Sequence, residues 1–365
     1  MACELTMSRG RVIPEEWSEA AHTITNYSSS SSSVPITVIC GPKNTGKSTF
    51  SHHLVSTLFE KYKKVGYLDT DVGQPEFTIS GVLSLTIIDT PDYDFSLPCI
   101  KNSERSYFYG DVSSKRNPTL YKCMFQSLVD YYQAGDCKLS ENQKIPLVVN
   151  TPGWVKGVGY DTLVDMLRYI APSFVVKING SSSNKNLPGG AFWSTNEINL
   201  ETTLIEINSP RIDFPRTLQK DASFQRDMKI MAYFRQCVEN HKDIETIKEL
   251  ANALSSHPPY LVSYNSMKIV HLHYQIPSAE RLNSLNASIV GLGVSSDRNV
   301  PQCVGLGIVR SVDPKRGFLY IITPVASAIL NNVNTVLLGC IQIPLCLLQV
   351  QRCISPYMAM GVLPV

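Results

Sequence analysis

The sequence predicts an α/β protein: a P-loop NTPase domain built on a mostly parallel sheet, followed by a smaller β-rich C-terminal domain. Three observations carry this. From Val34 onward, apolar runs of strand length alternate with helical periods, and a glycine-bearing turn closes the first run. After Leu254 the pattern changes to short β-rich segments (KIVHLHY, ASIVGLGV, CVGLGIVRSV, GFLYIIT) separated by Pro, Gly and Asn. The 365 residues also exceed one comfortable core, since domains average about 150 residues. The expected division is a flexible leader over 1–33, a P-loop domain over 34–254 and a β-rich domain over 255–365.

Each element follows from local pattern. The six serines Ser28 to Ser33 gain nothing by burial, so the leader is expected to be disordered. PITVIC, rich in β-branched residues, reads as the first strand, and a helix should follow through about Tyr62 because Phe50, Leu54 and Leu58 recur at four-residue steps. VGYLDTD gives the next strand. IPLVVN and SFVVKI are two more, flanking a helical segment with Leu163, Leu167 and Ile170. An amphipathic stretch from about Asp221 to Val238 puts Phe224, Met228 and Met231 on one stripe. VLLGCIQIPLCLLQV, from Val336, is broken by Gln342 and Pro344 and reads as strands of the second core.

Composition narrows the function classes. With 43% hydrophobic and 18% charged residues the chain should be globular. Its 33 Lys+Arg against 31 Asp+Glu exclude a broad basic coat for duplex DNA and leave room only for a local groove. Ten cysteines lie without a C-x-x-C pair, which reads as reduced thiols of a cytosolic or nuclear protein. No apolar run is long enough to span a membrane, so no membrane partner is expected.

The strongest motif is Gly41-Pro42-Lys43-Asn44-Thr45-Gly46-Lys47-Ser48-Thr49, a phosphate loop placed after a strand and before a helix. Its glycines let backbone N–H groups face a phosphate chain, and the helix N-terminus adds positive potential. Lys47 should reach the β and γ phosphates, and the Ser48 hydroxyl is placed for Mg²⁺. A guanine-reading Asn-Lys-x-Asp is lacking, because Asn184-Lys185-Asn186-Leu187 has no aspartate, so ATP is the expected nucleotide. Asp69 and Asp71 end the next strand, where ligands gather in open α/β sheets. Two residues apart on an extended chain, they should leave the same face, one serving the metal shell and another accepting a proton. His52, His53, His271 and His273 have no metal-ligand company and read as ordinary structural histidines.

LDTDVGQPEFT, followed about 75 residues further on by NTPGWVKGVGYDTLV, resembles the eukaryotic polynucleotide 5′-hydroxyl-kinase family, in its nucleolar, rRNA-processing branch (the nucleolar protein 9 type). The resemblance runs from about Pro35 to the C-terminus, and IQIPLCLLQVQRCISPYM is similar to the plant form. It implies that Asp71 is the base or metal-shell carboxylate, that Gln74 orients the reacting groups, and that Trp154 stacks on a base beside the 5′ end. Tyr109 to Tyr121 resembles the clasp over the nucleotide phosphates, with Ser113 and Asn117 at its polar positions and Ser114 where a proline usually stands. Arg226 matches the lid arginine that approaches the transferring phosphoryl, and Lys220 lies near the place of a second. The stretch before Val34 is too short for the N-terminal β-domain through which the family touches adenine.

The function expected from these readings is transfer of the γ-phosphoryl of ATP to the 5′-hydroxyl of RNA in pre-rRNA processing in the nucleolus, with an rRNA-processing nuclease or assembly factors as partners. The altered clasp keeps a second reading open: a nucleotide-bound scaffold of an RNA-processing complex without turnover.

Overall fold

The computed structural model describes residues 7–8, 11–27, 34–90, 100–135, 144–194, 202–210, 221–238, 244, 246–295 and 300–348. The serine run, Lys220 and the chain beyond Leu348 lie outside these. A short ribbon of β1 (Met7–Ser8) and β2 (Arg11–Val12) precedes helix α1 (Glu15–Thr25). Then come β3 (Ile36–Cys40), α2 (Lys47–Leu58), β4 (Val65–Asp69), β5 (Val82–Ile88), β6 (Arg105–Phe108), α3 (Pro118–Gln133), β7 (Leu147–Asn150), α4 (Gly157–Ile170), β8 (Phe174–Asn179) and β9 (Thr203–Asn208). Helices α5 (Ala222–Arg235) and α6 (Ile247–Ser256) lead to β10 (Tyr260–Ser263), β11 (Lys268–His271), β12 (Ser288–Val294), β13 (Gln302–Asp313), β14 (Phe318–Ile322) and β15 (Thr335–Leu338).

The first sheet has the order β6-β5-β4-β7-β3-β8-β9. Its strands from β4 to β9 pair in parallel, and β5 and β6 add an antiparallel edge. Alternation of side chains along β3 shows why its run is continuously apolar. Val38 and Cys40 pack with residues of α3 and α4, whereas Ile39 packs with α1 and α2, so both faces are covered. The second sheet, β10-β14-β13-β12-β15-β11, is antiparallel except for the pair β11/β15.

Four expectations change. The leader is not uniformly flexible: α1 packs through Trp17, Ala20, Ala21 and Ile24, all buried, because their spacing makes an apolar stripe that meets Phe50 and Ile207. Along α5 the buried residues are Ile230, Met231 and Phe234, while Phe224 is exposed, because the helix docks by its C-terminal half. The boundary expected after Leu254 falls inside α6, whose Leu250, Ala251 and Leu254 pack in one cluster with α5, Phe108 and the second sheet. After Leu338 the chain does not continue as strand. Leu345–Leu348 is a helical turn beyond Pro344. Among the described residues no helix is long and apolar enough to cross a membrane.

Candidate active site

The phosphate loop links β3 to α2 at the carboxyl edge of the first sheet. Gly46 has φ +95° and Asn44 φ +61°, left-handed conformations that turn the chain around its centre. Lys47 is buried, and its Nζ donates to the carbonyls of Gly41 (3.1 Å) and Pro42 (2.7 Å). Burial pulls its pKa down to about 8, opposed by the nearby Asp71 carboxylate. The Thr45 hydroxyl donates to Pro42 O at 2.9 Å, tightening the turn from inside.

Asp69 and Asp71 do not share a face. β4 ends at Asp69, so the two-residue periodicity stops there and the chain turns. Asp69 is fully buried: Oδ1 accepts from the Asp71 N–H (3.2 Å) and from Asn150 Nδ2 (3.2 Å), and Oδ2 accepts from the Glu76 N–H. Burial pushes its carboxyl up to about 7. Asp71 instead reaches the cleft. Its Oδ1 accepts from the backbone N–H groups of Gly73 (3.0 Å) and Gln74 (3.3 Å), an arrangement that fixes the carboxylate and leaves Oδ2 available.

The turn Asn150 to Trp154 approaches the phosphate loop so closely that a Cβ on Gly153 would stand 2.4 Å from Lys43 Cγ and 2.7 Å from its backbone nitrogen. Only glycine allows that approach, and it carries Trp154 alongside the loop. The half-buried Trp154 ring meets Tyr121 edge-on at 5.2 Å between centroids. Tyr121 donates its hydroxyl to Thr70 O at 2.7 Å, so the indole is braced against the same turn that presents Asp71. On the opposite wall, α5 is tied to the Asp71 loop. Lys229 Nζ donates to the carbonyls of Pro75 and Glu76, and Gln74 Nε2 donates to Gln225 Oε1 at 3.4 Å.

One cleft of about 770 Å³ results, lined by Lys43, Asn44, Gly46, Lys47, Ser48, Thr49, Asp71, Gln74, Ser113, Trp154 and Arg226 among others. Of the expected site residues, Gly41, Pro42 and Thr45 shape the loop from behind. Asn117 is a correction: it does not line the cleft, because its Oδ1 accepts from Leu120 N (3.0 Å) as the N-cap of α3. Asn150, Lys115 and Lys185 line the cleft and were not singled out from the sequence. Asn150 was recoverable, since it is the polar residue ending the apolar run LVVN.

The Ser48 hydroxyl and Asp71 carboxylate are hard oxygen donors in this one cleft. Asn150 Oδ1 lies buried beside Asp69 without a hydrogen-bond partner. This donor set fits Mg²⁺. Among the described residues no separate His/Cys/Asp/Glu metal cluster occurs.

Residues 41–236 match the family described as mRNA cleavage and polyadenylation factor CLP1 P-loop, and residues 255–344 match the NOL9-like, C-terminal domain. The chain is 54% identical over 359 residues to an Arabidopsis thaliana protein named polynucleotide 5′-hydroxyl-kinase NOL9, covering 96% of each. It is 28% identical to the Homo sapiens protein of that name, covering 87% of this chain and 51% of that one, so it spans about half the length of this relative. In fold it is similar to the wild-type Clp1p–Pcf11p complex structure, with a TM-score of 0.63 at 16% identity over 89% of this chain and 78% of that one. A family model matching more than half of the chain, a second matching its C-terminal part, and a relative 54% identical over 96% of both chains show that the chain belongs to the polynucleotide 5′-hydroxyl-kinase family.

Proposed function

We infer that this chain is an ATP-dependent polynucleotide 5′-hydroxyl kinase acting on RNA, in pre-rRNA processing in the nucleolus. The observation that carries the reading is the shared cleft: Lys47, Ser48, Asp71, Trp154 and Arg226 line one cavity of about 770 Å³. In it the phosphate loop holds the β and γ phosphates through its N–H groups and Lys47. Lys47 would exchange its bonds to Gly41 and Pro42 for phosphate oxygens. Ser48 and Asp71 would hold Mg²⁺, which when bound offsets phosphate charge.

Trp154 stacks on a base at the acceptor end and sets the 5′ oxygen in line with the γ-phosphorus. That oxygen forms a bond to phosphorus as the bond to the β-bridging oxygen breaks, ADP leaves, and the hydroxyl proton passes to Asp71 Oδ2. Gln74 keeps the Asp71 turn and the lid helix in register through Gln225. Arg226 approaches the transferring group and offsets its charge. Ser113 contributes a polar group over the phosphates. A structural neighbour is a complex with a protein, Pcf11p, which supports a protein partner for this chain as well, and we propose an rRNA-processing nuclease or assembly factor in that place.

The test is end-labelling. Purified protein with γ-labelled ATP and a 5′-hydroxyl oligoribonucleotide should place label at the 5′ end, and a free nucleoside should be a far poorer acceptor. No label where ATP binding is measured would overturn the enzyme reading and leave a nucleotide-bound scaffold.

A further inference from the structure

The loop after β6, from Tyr109 to Asn117, brings Ser113 to the cleft. Ser113 is exposed and its backbone is held from two sides. Its N–H donates to Asp111 Oδ1 at 2.8 Å, and its carbonyl accepts from the Tyr109 hydroxyl at 3.5 Å. The second sheet's domain reaches both residues, Tyr109 directly and Asp111 by way of Arg116 in the same loop. The Tyr109 carbonyl accepts from His273 Nε2 at 2.7 Å, with the rings 4.8 Å apart between centroids. A carbonyl only accepts, so Nε2 carries the proton; Nδ1 is buried without a partner. Asp111 pairs through Oδ2 with Arg116, whose guanidinium lies over the Tyr274 ring at 5.3 Å.

Between these grips the backbones meet. The Cys340 N–H donates to the Gly110 carbonyl, and a Cβ on Gly339 would stand 2.3 Å from that same oxygen. A surface loop with no proline to limit its conformations is thus immobilised by a folded β-domain. His273, read from the sequence as merely structural, is 164 residues from its acceptor.

We propose that His273 and Tyr274 are positioning residues for Ser113, so that the C-terminal β-domain completes the wall that closes over the nucleotide phosphates. This rests on the reading of the cleft as an ATP site. His273 acts through the Tyr109 carbonyl, and Tyr274 acts through Arg116 and Asp111. Neither side chain touches the nucleotide. Together they replace, by contact across domains, the local stiffness that a proline at position 114 would supply.

The test compares His273→Phe, His273→Gln, Tyr274→Leu and His273→Phe/Tyr274→Leu in the full chain. Affinity for a fluorescent ATP analogue and anisotropy of a labelled 5′-hydroxyl RNA are both read without turnover. Loss of one neutral hydrogen bond predicts analogue binding weakened about fivefold in His273→Phe and more in the double variant. His273→Gln, which keeps an N–H donor, should recover most of the affinity. RNA binding and the thermal midpoint should stay at wild-type values in His273→Phe, because only the loop is released.

Wild-type analogue affinity in both His273→Phe and Tyr274→Leu, an equal loss for RNA, or a His273→Gln no better than His273→Phe would each overturn the proposal. Should His273→Phe not fold, the exposed Tyr274→Leu decides alone, wild-type affinity refuting and weakened affinity supporting. Failure of the kinase reading shows up separately, as absent end-labelling by the wild-type protein with these binding differences intact.

Discussion

Trp17 lies directly beneath Gly46: a Cβ on that glycine would stand 2.6 Å from Trp17 Cη2. The indole is 1% exposed, meets Phe50 edge-on at 5.5 Å and donates Nε1–H to Asn208 O at 2.9 Å. Helix α1 therefore closes one face of the first sheet and supports the phosphate loop from below. Trp17→Ala is expected to cost about 3–5 kcal/mol, the range for deleting a buried aromatic. Urea unfolding measures it, and a loss under 1 kcal/mol would mean that α1 is not part of the cooperative core. Gly46→Ala should abolish ATP binding, because it meets both this ring and a left-handed φ.

Lys47→Ala and Asp71→Asn should each lower phosphoryl transfer by roughly 10²–10³ or more while the fold survives, since in the proposed mechanism each removes charge aimed at the reacting groups. Unchanged thermal midpoints beside wild-type rates would remove both residues from the mechanism. Asp69→Asn is expected to act differently. It keeps an acceptor for the Asp71 and Glu76 N–H groups only in part, so destabilisation accompanies the loss of rate.

Trp154→Ala should raise KM for the oligonucleotide far more than KM for ATP. Stacking on one base is worth about 1–3 kcal/mol, which corresponds to about 5–150-fold. Trp154→Phe should recover much of it. Equal increases in both constants would assign the ring to packing against Tyr121 instead.

His53, on α2, gives a stability prediction with a definite sign. Burial, with His22 opposite, lowers its pKa from 6.5 to about 4, and its Nε2 is buried without a hydrogen-bond partner. Below 6.5 the unfolded chain takes up a proton that the folded chain refuses, so this contribution to stability is intact above pH 6.5 and is lost as pH falls toward 4. His53→Gln should flatten that part of the stability profile relative to wild type, read by denaturant midpoints from pH 7.5 to 4.5. Parallel profiles would show that His53 is solvated in the fold.

The phosphate loop was legible because its chemistry is local: glycines, lysine and serine at set spacing decide where backbone N–H groups point, whatever surrounds them. Trp17 was hidden by the serine run after it, although Trp17, Ala20, Ala21 and Ile24 already form an apolar helical stripe. Asp69 and Asp71 could not be told apart by a two-residue period, because the strand ends between them and burial goes to the first alone. Asn117 looked like a clasp residue by its place in a motif, yet helix α3 needed its oxygen as a cap.

Sequence by itself determined the strand-loop-helix that binds phosphate, the two-part architecture and the family, since each rests on residues that act through their near neighbours or recur in a fixed order. Tertiary structure decided which carboxylate faces the cleft, that an N-terminal helix supports the loop, and that His273 grips a segment 164 residues away. The physical reason is that burial and hydrogen-bond partnership are properties of surfaces brought together by folding, and no local spacing encodes which surfaces will meet.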